Sequence, residues 1–168
     1  ADLTISVDTD VTLDEATQTV SVTGGSGSGK LSFSVSDTSV ATVDASGKLT
    51  YLKPSSFTVT VTKEGDSTYQ AATATSAVIT VQPISLTAAD VTLNPNAYTF
   101  DGAEKKPAVT VKVGGKTLTE GTDYTVAYSN NTAVGTATVT VTGKGNYEGT
   151  KPGIEKVIYK KVVSSTQI

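Results

Sequence analysis

The sequence predicts an all-β fold built as two β-sandwich domains in tandem. Thr and Val supply 53 of the 168 residues, and these β-branched side chains pack well on a pleated sheet. The phrase Thr-Val-Thr-Val-Thr occurs twice, at 58–62 and 138–142, and each copy runs through a glycine turn to a tyrosine, Tyr69 or Tyr147. Alternation that stops at a turn is typical of a half-buried strand, and a spacing of about 80 residues suits a small β domain.

Seven short strands are predicted in the first domain, which is the count of a β-sandwich. A hairpin turn at 44–47 separates two of them, with Gly47 available for positive φ. The predicted strands are 3–7, 20–22, 31–35, 40–43, 48–52, 57–62 and 73–81.

The second domain follows the same plan with different turns. Gly114-Gly115 is a two-residue hairpin signal, and the period of two places Tyr124, Val126 and Tyr128 on one face, which we expect in the core. The predicted strands are 91–93, 98–100, 108–113, 116–118, 124–128, 135–142 and 157–163.

A domain boundary is predicted at Gln82/Pro83, giving domains 1–82 and 83–168. The first part carries four Lys against nine acidic residues, and the second carries nine Lys against seven. A proline at the end of a strand stops ladder donation and stiffens the connection. The charge shift and the proline therefore indicate the same boundary.

Both halves resemble immunoglobulin-like (Ig-like) domains of bacteria. The stretch 36–50, SDTSVATVDASGKLT, and the turn 65–72, GDSTYQAA, are similar to group 2 bacterial Ig-like domains. The second half, with LTEGTDY at 118–124, NN at 130–131 and GKGNYEG at 143–149, resembles an Ig-like repeat of Firmicutes surface proteins. The resemblance implies two tandem Ig-like β-sandwiches in an extracellular or cell-surface protein, as a spacer or a binding tip, and a monomer within a longer chain.

The composition argues against several classes of function. The chain has no Cys, His, Met, Trp or Arg. Without His and Cys the commonest general base, metal ligand and thiol nucleophile are missing, so we expect no enzyme, no catalytic residue, no metal and no cofactor. Absence of Arg and a net charge of −3 argue against nucleic acid. No stretch reaches the roughly 20 apolar residues of a membrane helix, so no membrane insertion is expected.

The glycine-rich segment 24–30, GGSGSGK, matches the first seven positions of a phosphate-binding P-loop. A P-loop requires Ser or Thr next and then a helix, whereas Leu31 follows here and begins a strand. We interpret the segment as a loop that connects strands.

Two further groups of residues are candidate sites. Acidic residues near the N-terminus, namely Asp8, Asp10, Asp14 and Glu15, lack a calcium-loop pattern and are expected to be solvated. Some surface Ig-like domains join a Lys to an Asn covalently with help from an acid, which suggests Lys112, Asn131 and Glu120. By the period of two, Lys112 points away from the core, which argues against that bond.

Two functions remain. The first is a structural or adhesive module that acts as a stalk or presents a surface to a cell-wall or host glycan or protein. The alternative is a carbohydrate-binding accessory module of a secreted glycanase, in which aromatic rings stack on sugars. Tyr51 and Tyr159 are the candidate ligand-binding residues. Tyr69 and Tyr147 follow equivalent turns, and we expect both to plug the end of a sandwich.

Overall fold

The structure is a computed structural model that describes residues 1–15 and 17–159. The chain divides into two compact units, unit 1 at Ala1–Ile84 and unit 2 at Ser85–Ile168. The division falls two residues beyond the predicted Gln82/Pro83 boundary.

Unit 1 is built of short strands. Their bounds are β1 Thr4–Ser6, β2 Asp10–Thr12, β3 Ser21–Thr23, β4 Leu31–Val35, β5 Ala41–Val43, β6 Leu49–Tyr51, β7 Ser55–Phe57, β8 Val59–Lys63, β9 Ala72–Thr75, β10 Ile79–Gln82 and, at the division, β11 Ile84–Ser85. The strands pair in the orders β1-β3, β2-β10-β7, β4-β8-β9 and β5-β6. Residues from all four sheets contribute to one core, in which Leu49, Val59, Val61 and Ile79 are fully buried.

Two predicted strands of unit 1 each divide between sheets. The segment predicted as 57–62 breaks at Thr58, so that β7 pairs with β10 and β8 pairs with β4. The segment predicted as 73–81 breaks likewise between β9, which pairs with β8, and β10. Serine hydroxyls bridge the breaks: Thr58 N donates to Ser36 Oγ at 2.9 Å and Val59 N to Ser76 Oγ at 3.0 Å. Backbone N–H groups that lose a ladder partner at the breaks therefore keep a hydrogen bond.

Unit 2 begins with a short 3₁₀ turn and continues as strands. The bounds are Leu86–Ala88 for the 3₁₀ turn, then β12 Asp90–Asn94, β13 Ala97–Thr99, β14 Ala108–Val113, β15 Lys116–Thr117, β16 Tyr124–Ser129, β17 Gly135–Gly143, β18 Tyr147–Glu148 and β19 Thr150–Tyr159. The main sheets have the orders β12-β14-β15 and β13-β19-β17-β16. Val111, Ala137, Val139, Val141 and Ile158 are buried.

The repeated Thr-Val phrase forms an inner strand of a sheet in both units. In unit 1 it lies on β8 between β4 and β9, and in unit 2 on β17 between β16 and β19. Val59, Val61, Val139 and Val141 are all fully buried. The prediction of one buried face for this phrase is confirmed twice.

The all-β class is confirmed, and the strand predictions differ from the structure mainly in number. Strands 31–35 and 108–113 are found with the predicted bounds. Strands β2, β11 and β18 are absent from the prediction, which includes only Phe57 of β7, and β19 begins at Thr150 rather than at 157. Residues 160–163 of the last predicted strand lie outside the described residues.

Candidate functional site

The glycine-rich loop of unit 1 is held by a carboxylate of the same chain. Asp66 Oδ2 accepts from Ser28 N at 2.9 Å, and Asp66 Oδ1 accepts from Thr68 N at 2.8 Å and from Tyr69 N at 2.9 Å. These hydrogen bonds, the Ser28 amide first, lower the pKa of Asp66 to about 2. A loop amide that a phosphate ligand would need is thus already bonded, which agrees with the rejection of a P-loop.

Close backbone approach explains the glycines of this loop. A Cβ atom on Gly29 would lie 1.6 Å from the carbonyl oxygen of Glu64, and one on Gly24 would lie 1.8 Å from that of Asp2. Such distances exclude a side chain at either position. The loop therefore packs closely against the Glu64 backbone and the N-terminal segment.

Tyr69 lies beside this loop and is 48% exposed. Its ring is near Gly27, because a Cβ on Gly27 would lie 3.1 Å from Tyr69 Cδ2. The backbone N–H of Tyr69 is held by Asp66, so the ring projects from a fixed turn. The expectation that Tyr69 plugs the end of the domain is wrong.

Tyr147 is the counterpart of Tyr69 in unit 2 and is only 5% exposed. It begins β18, after a turn in which Tyr147 N donates to Lys144 O at 3.2 Å. The expected plug is therefore found in the second unit only.

Tyr51, one of the two candidate ligand-binding residues, is a buried residue of β6. Its side chain belongs to the core of unit 1, with 9% exposure, and its ring centroid lies 6.3 Å from that of Phe57. Burial raises the pKa of Tyr51, while its hydroxyl accepts from Gln18 Nε2 at 2.9 Å. The alternation of Leu49 and Tyr51 on β6, both buried, was the signal that indicated an inward-facing ring.

Tyr159 ends β19, where its backbone pairs with Thr99. Its side chain lies outside the described part of the structure, so its role as a ligand platform stays a prediction.

The residues considered for a covalent cross-link are distributed differently from the hypothesis. Lys112 is exposed on β14, as its facing predicted, and Glu120 is also exposed. Asn131 is buried, and its Nδ2 donates to Glu104 Oε1 at 3.2 Å and to the Lys105 carbonyl oxygen at 3.1 Å. Within the described residues, the side chain of Asn131 therefore bonds to Glu104 and Lys105 and not to Lys112 or Glu120.

Unit 2 contains a polar cluster that no sequence pattern predicts. Lys105 is 8% exposed; its Nζ donates to Asp101 Oδ1 and lies 5.9 Å from the centroid of the Tyr98 ring. The Lys105 contact lowers the pKa of Asp101. Lys105 N also donates to Asn131 O at 2.8 Å, so the cluster ties the segment before β14 to the turn after β16. Because Lys105 lies in an irregular polar segment, no periodicity in the sequence indicates that it is buried.

Among the N-terminal acidic residues, Asp10 is bonded through its carboxylate and Asp8 through its backbone. Asp10 Oδ1 accepts from Gln82 Nε2 at 3.1 Å, and Asp8 N donates to Gln18 Oε1 at 2.8 Å. Within residues 1–15 and 17–159, no group of three or more acidic residues is arranged to hold a metal ion. The same residues include no helix that is long and apolar enough to cross a membrane.

A shallow groove of about 320 Å³ lies between β4 and β5 of unit 1. Apolar side chains alternate with hydroxyl groups along it, so it offers contact area but no charged group. The lining residues are Phe33, Ser34, Val35, Thr38, Thr42 and Val43.

Comparison with known proteins does not assign the chain to a family. No protein-family model matches the chain, and no curated protein matches it. Among solved structures it is similar to the crystal structure of the S-layer protein SbsC domains 4 and 5, at 16% identity, with 96% of this chain and 98% of that chain covered and a TM-score of 0.33. With so low a TM-score, no conclusion about function follows from this likeness.

Proposed function

We propose that the chain is a non-catalytic structural module, formed by two Ig-like β-sandwiches in series, that serves as a stalk segment of a bacterial surface or secreted multidomain protein. The resemblance of 36–50 and 118–124 to bacterial Ig-like domains supports the fold assignment. The stalk role rests on one observation, namely the route of the chain through each unit.

That route is the same in both units. In unit 1 the early strand β2 pairs in parallel with β10, the last strand that lies wholly in the unit, and in unit 2 β13 pairs in parallel with β19. Parallel partners point the same way, so the early strand starts at one end of the unit and the last strand finishes at the other. A unit that the chain enters at one end and leaves at the opposite end is suited to connection in series.

The stalk proposal is tested by the distance from the start of unit 1 to the turn before β17, which lies at the end of unit 2 where β19 finishes because Gly135 pairs with Ile158. Because the sequence lacks Cys, cysteines at two exposed positions, Asp2→Cys and Thr132→Cys, can be labelled uniquely for pulsed electron spin resonance. We expect a narrow distribution of label distances that broadens in concentrated denaturant. A native distribution as broad as the denatured one would contradict a stalk and indicate a flexible linker.

The exposed ring of Tyr69 favours a second candidate function, carbohydrate binding. Native gels that contain neutral soluble polysaccharides, such as xylan, galactomannan or hydroxyethyl cellulose, would slow a chain that binds sugar. The stalk proposal predicts unchanged migration. Slowed migration that is lost in Tyr69→Ala, but kept in Tyr69→Phe and in the matched surface control Val78→Ala, would support the accessory-module function instead.

A further inference from the structure

Strand β4 of unit 1 has one free edge. It lies at the end of the sheet β4-β8-β9 and, among the described residues, pairs only with β8. The residues that flank β4 both bond toward β8: Lys30 O accepts a backbone bond at 2.9 Å and Ser36 N donates one at 3.0 Å. Bonding residues alternate along an antiparallel ladder, so the odd-numbered residues of β4 direct their N–H and C=O groups away from β8. They are Leu31, Phe33 and Val35.

This edge lacks the features that usually prevent pairing with other chains. Strand β4 is five residues long and contains no charged residue and no proline, although such residues commonly protect an edge. The shallow groove of about 320 Å³ is lined by the consecutive residues 33–35. Their side chains alternate between the two faces of the sheet, so the groove follows the edge of the strand rather than one face. The outward backbone groups therefore have open space beside them.

The sequence of this edge is complementary to itself in the reverse direction. The strand reads Leu-Ser-Phe-Ser-Val, so Phe33 is flanked on each side by a serine and then by an aliphatic residue. When two copies pair antiparallel about a two-fold axis at Phe33, aliphatic residues oppose aliphatic residues and serines oppose serines. The three residues with outward backbone groups then oppose one another, as hydrogen-bonded pairs require.

The charges at the two ends of the edge favour the antiparallel direction. Lys30 precedes the strand, Asp37 follows it, and both are exposed. Hydrogen bonds from Ser39 lower the pKa of Asp37, so its carboxyl group is ionised at neutral pH. In the two-fold register, Lys30 of one copy opposes Ser36 of the other and lies next to its Asp37, and symmetry repeats this contact at the other end. Parallel pairing would instead place like charges side by side.

We propose that the free edge of β4 is a homodimerisation surface, to which a second copy of this chain adds its own β4 in the antiparallel direction. The apolar side chains of β4 are half-buried, and those of the second copy would enter the groove and lose further contact with water. An isologous interface of this kind closes at two copies. The surface goes beyond the stalk function and does not depend on it, and it departs from the monomer that the family resemblance implies.

The oligomeric state of the full chain is the first test. One added strand buries a small area, so we expect a weak dimer that dissociates on dilution. Sedimentation equilibrium at about 0.15 M salt measures it, because a Debye length of about 8 Å screens the repulsion between the acidic first units. A protein that is still monomeric at about 1 mM would overturn the proposal.

Two substitutions at one position separate pairing of the edge from packing of the side chain. Val35→Pro removes an N–H that points away from β8, and proline is tolerated at such a position of an edge strand. Val35→Ala shortens the same side chain and keeps the N–H. By symmetry the proline removes two hydrogen bonds per dimer, so its dissociation constant should be about tenfold higher than that of Val35→Ala. Equal constants in the two variants would show that the dimer does not form through β4.

Cysteine pairing tests the register while every backbone N–H of the edge is kept. In the proposed register, position 32 of one copy opposes position 34 of the other with Cα atoms about 4.5 Å apart, whereas like positions are diagonal, about 7 to 8 Å apart. The sequence has no Cys, so a mixture of Ser32→Cys and ¹⁵N-labelled Ser34→Cys can be oxidised and analysed by mass spectrometry. We expect the mixed disulfide in severalfold excess over the two like ones.

The matched control for this experiment is the pair Thr73→Cys and Thr75→Cys, which has the same spacing on exposed positions of β9. This pair should give the statistical proportion of mixed and like disulfides. A statistical proportion from the β4 pair as well would overturn the proposed register and, with it, the dimer.

Discussion

Tyr69 and Tyr147 follow the same Thr-Val strand and a comparable glycine turn, yet Tyr69 is 48% exposed and Tyr147 only 5%. In unit 2 the segment Ser85–Ala89 lies beside the residues that follow Tyr147. A Cβ on Gly149 would lie 3.8 Å from Ser85 Oγ, and Lys151 Nζ donates to the Ala89 carbonyl oxygen. In unit 1 the glycine-rich loop lies beside the turn instead, since a Cβ on Gly27 would lie 3.1 Å from Tyr69 Cδ2. The comparison teaches that burial of the tyrosine depends on which other segments of the chain pack against the turn, and not on the turn itself.

The largest difference between the units is expected for removal of these rings. Tyr147→Ala should destabilise unit 2 by about 3 to 5 kcal/mol, because loss of a buried aromatic side chain leaves a cavity. Tyr69→Ala should change the stability of unit 1 by about 0.5 kcal/mol or less, as is usual for an exposed residue. Urea unfolding followed by the NMR signals of each unit measures both. Equal losses in the two variants would break the comparison.

The turn glycines should behave alike in both units, in contrast to the tyrosines. A Cβ on Gly65 would lie 2.9 Å from Ala71 N, and one on Gly143 would lie 2.7 Å from Glu148 N. Each Gly→Ala variant should lose about 1 to 3 kcal/mol through overpacking. Thermal unfolding provides the measurement, and an unchanged midpoint in either variant would show that the returning chain can move aside.

In unit 2 a buried side chain, Asn131, holds an irregular segment through a hydrogen bond. Asn131→Ala should cost unit 2 about 1 to 2 kcal/mol, because the buried Lys105 carbonyl loses the bond from Asn131 Nδ2. Thr132→Ala, at the exposed neighbouring position, is the matched control and should be nearly neutral in the same denaturation assay. An Asn131→Ala protein as stable as the control would show that water replaces the side chain.

The smallest effect is expected at Asp66, which is exposed. Its pKa is lowered to about 2 from an unfolded value near 3.8, so its contribution is full above pH 3.8 and is lost as pH falls toward 2. Acid should therefore loosen the glycine-rich loop of unit 1 before it affects the corresponding turn of unit 2. Amide chemical shifts of Ser28 and Tyr69 between pH 5 and pH 2 report this, with Asp66→Asn as the pH-insensitive control. Shifts of the same size in Asp66→Asn would contradict the assignment.

Much of the fold could be predicted from the sequence because alternation reports burial. The alternation could not reveal the strand breaks at Thr58 and between β9 and β10. At Thr58, for example, Phe57, Val59 and Val61 are all buried, so the alternation continues across the break. Both sheets face one core, so a strand that changes sheet keeps its period of two. Pairing, unlike burial, depends on distant residues such as Ser36 and Ser76.

The candidate sites were less predictable for a related reason. A tyrosine on a strand or after a turn has the same local sequence whether other chain covers it or not. The burial of Tyr51 could have been predicted from its alternation with Leu49. The difference in burial between Tyr69 and Tyr147 could not be predicted without the rest of the fold. The Lys105–Asp101 contact lies in an irregular segment, where no periodicity marks which lysine is buried.

The strand breaks of unit 1 have a consequence for how it opens. The continuous segments 55–63 and 72–82 each belong to two sheets, and Ser36 and Ser76 bond the backbone where they cross. One sheet cannot separate without pulling on a strand of the other. Amide hydrogens on β8 and β10 should therefore exchange with solvent through the same cooperative opening, with equal free energies and equal dependence on denaturant.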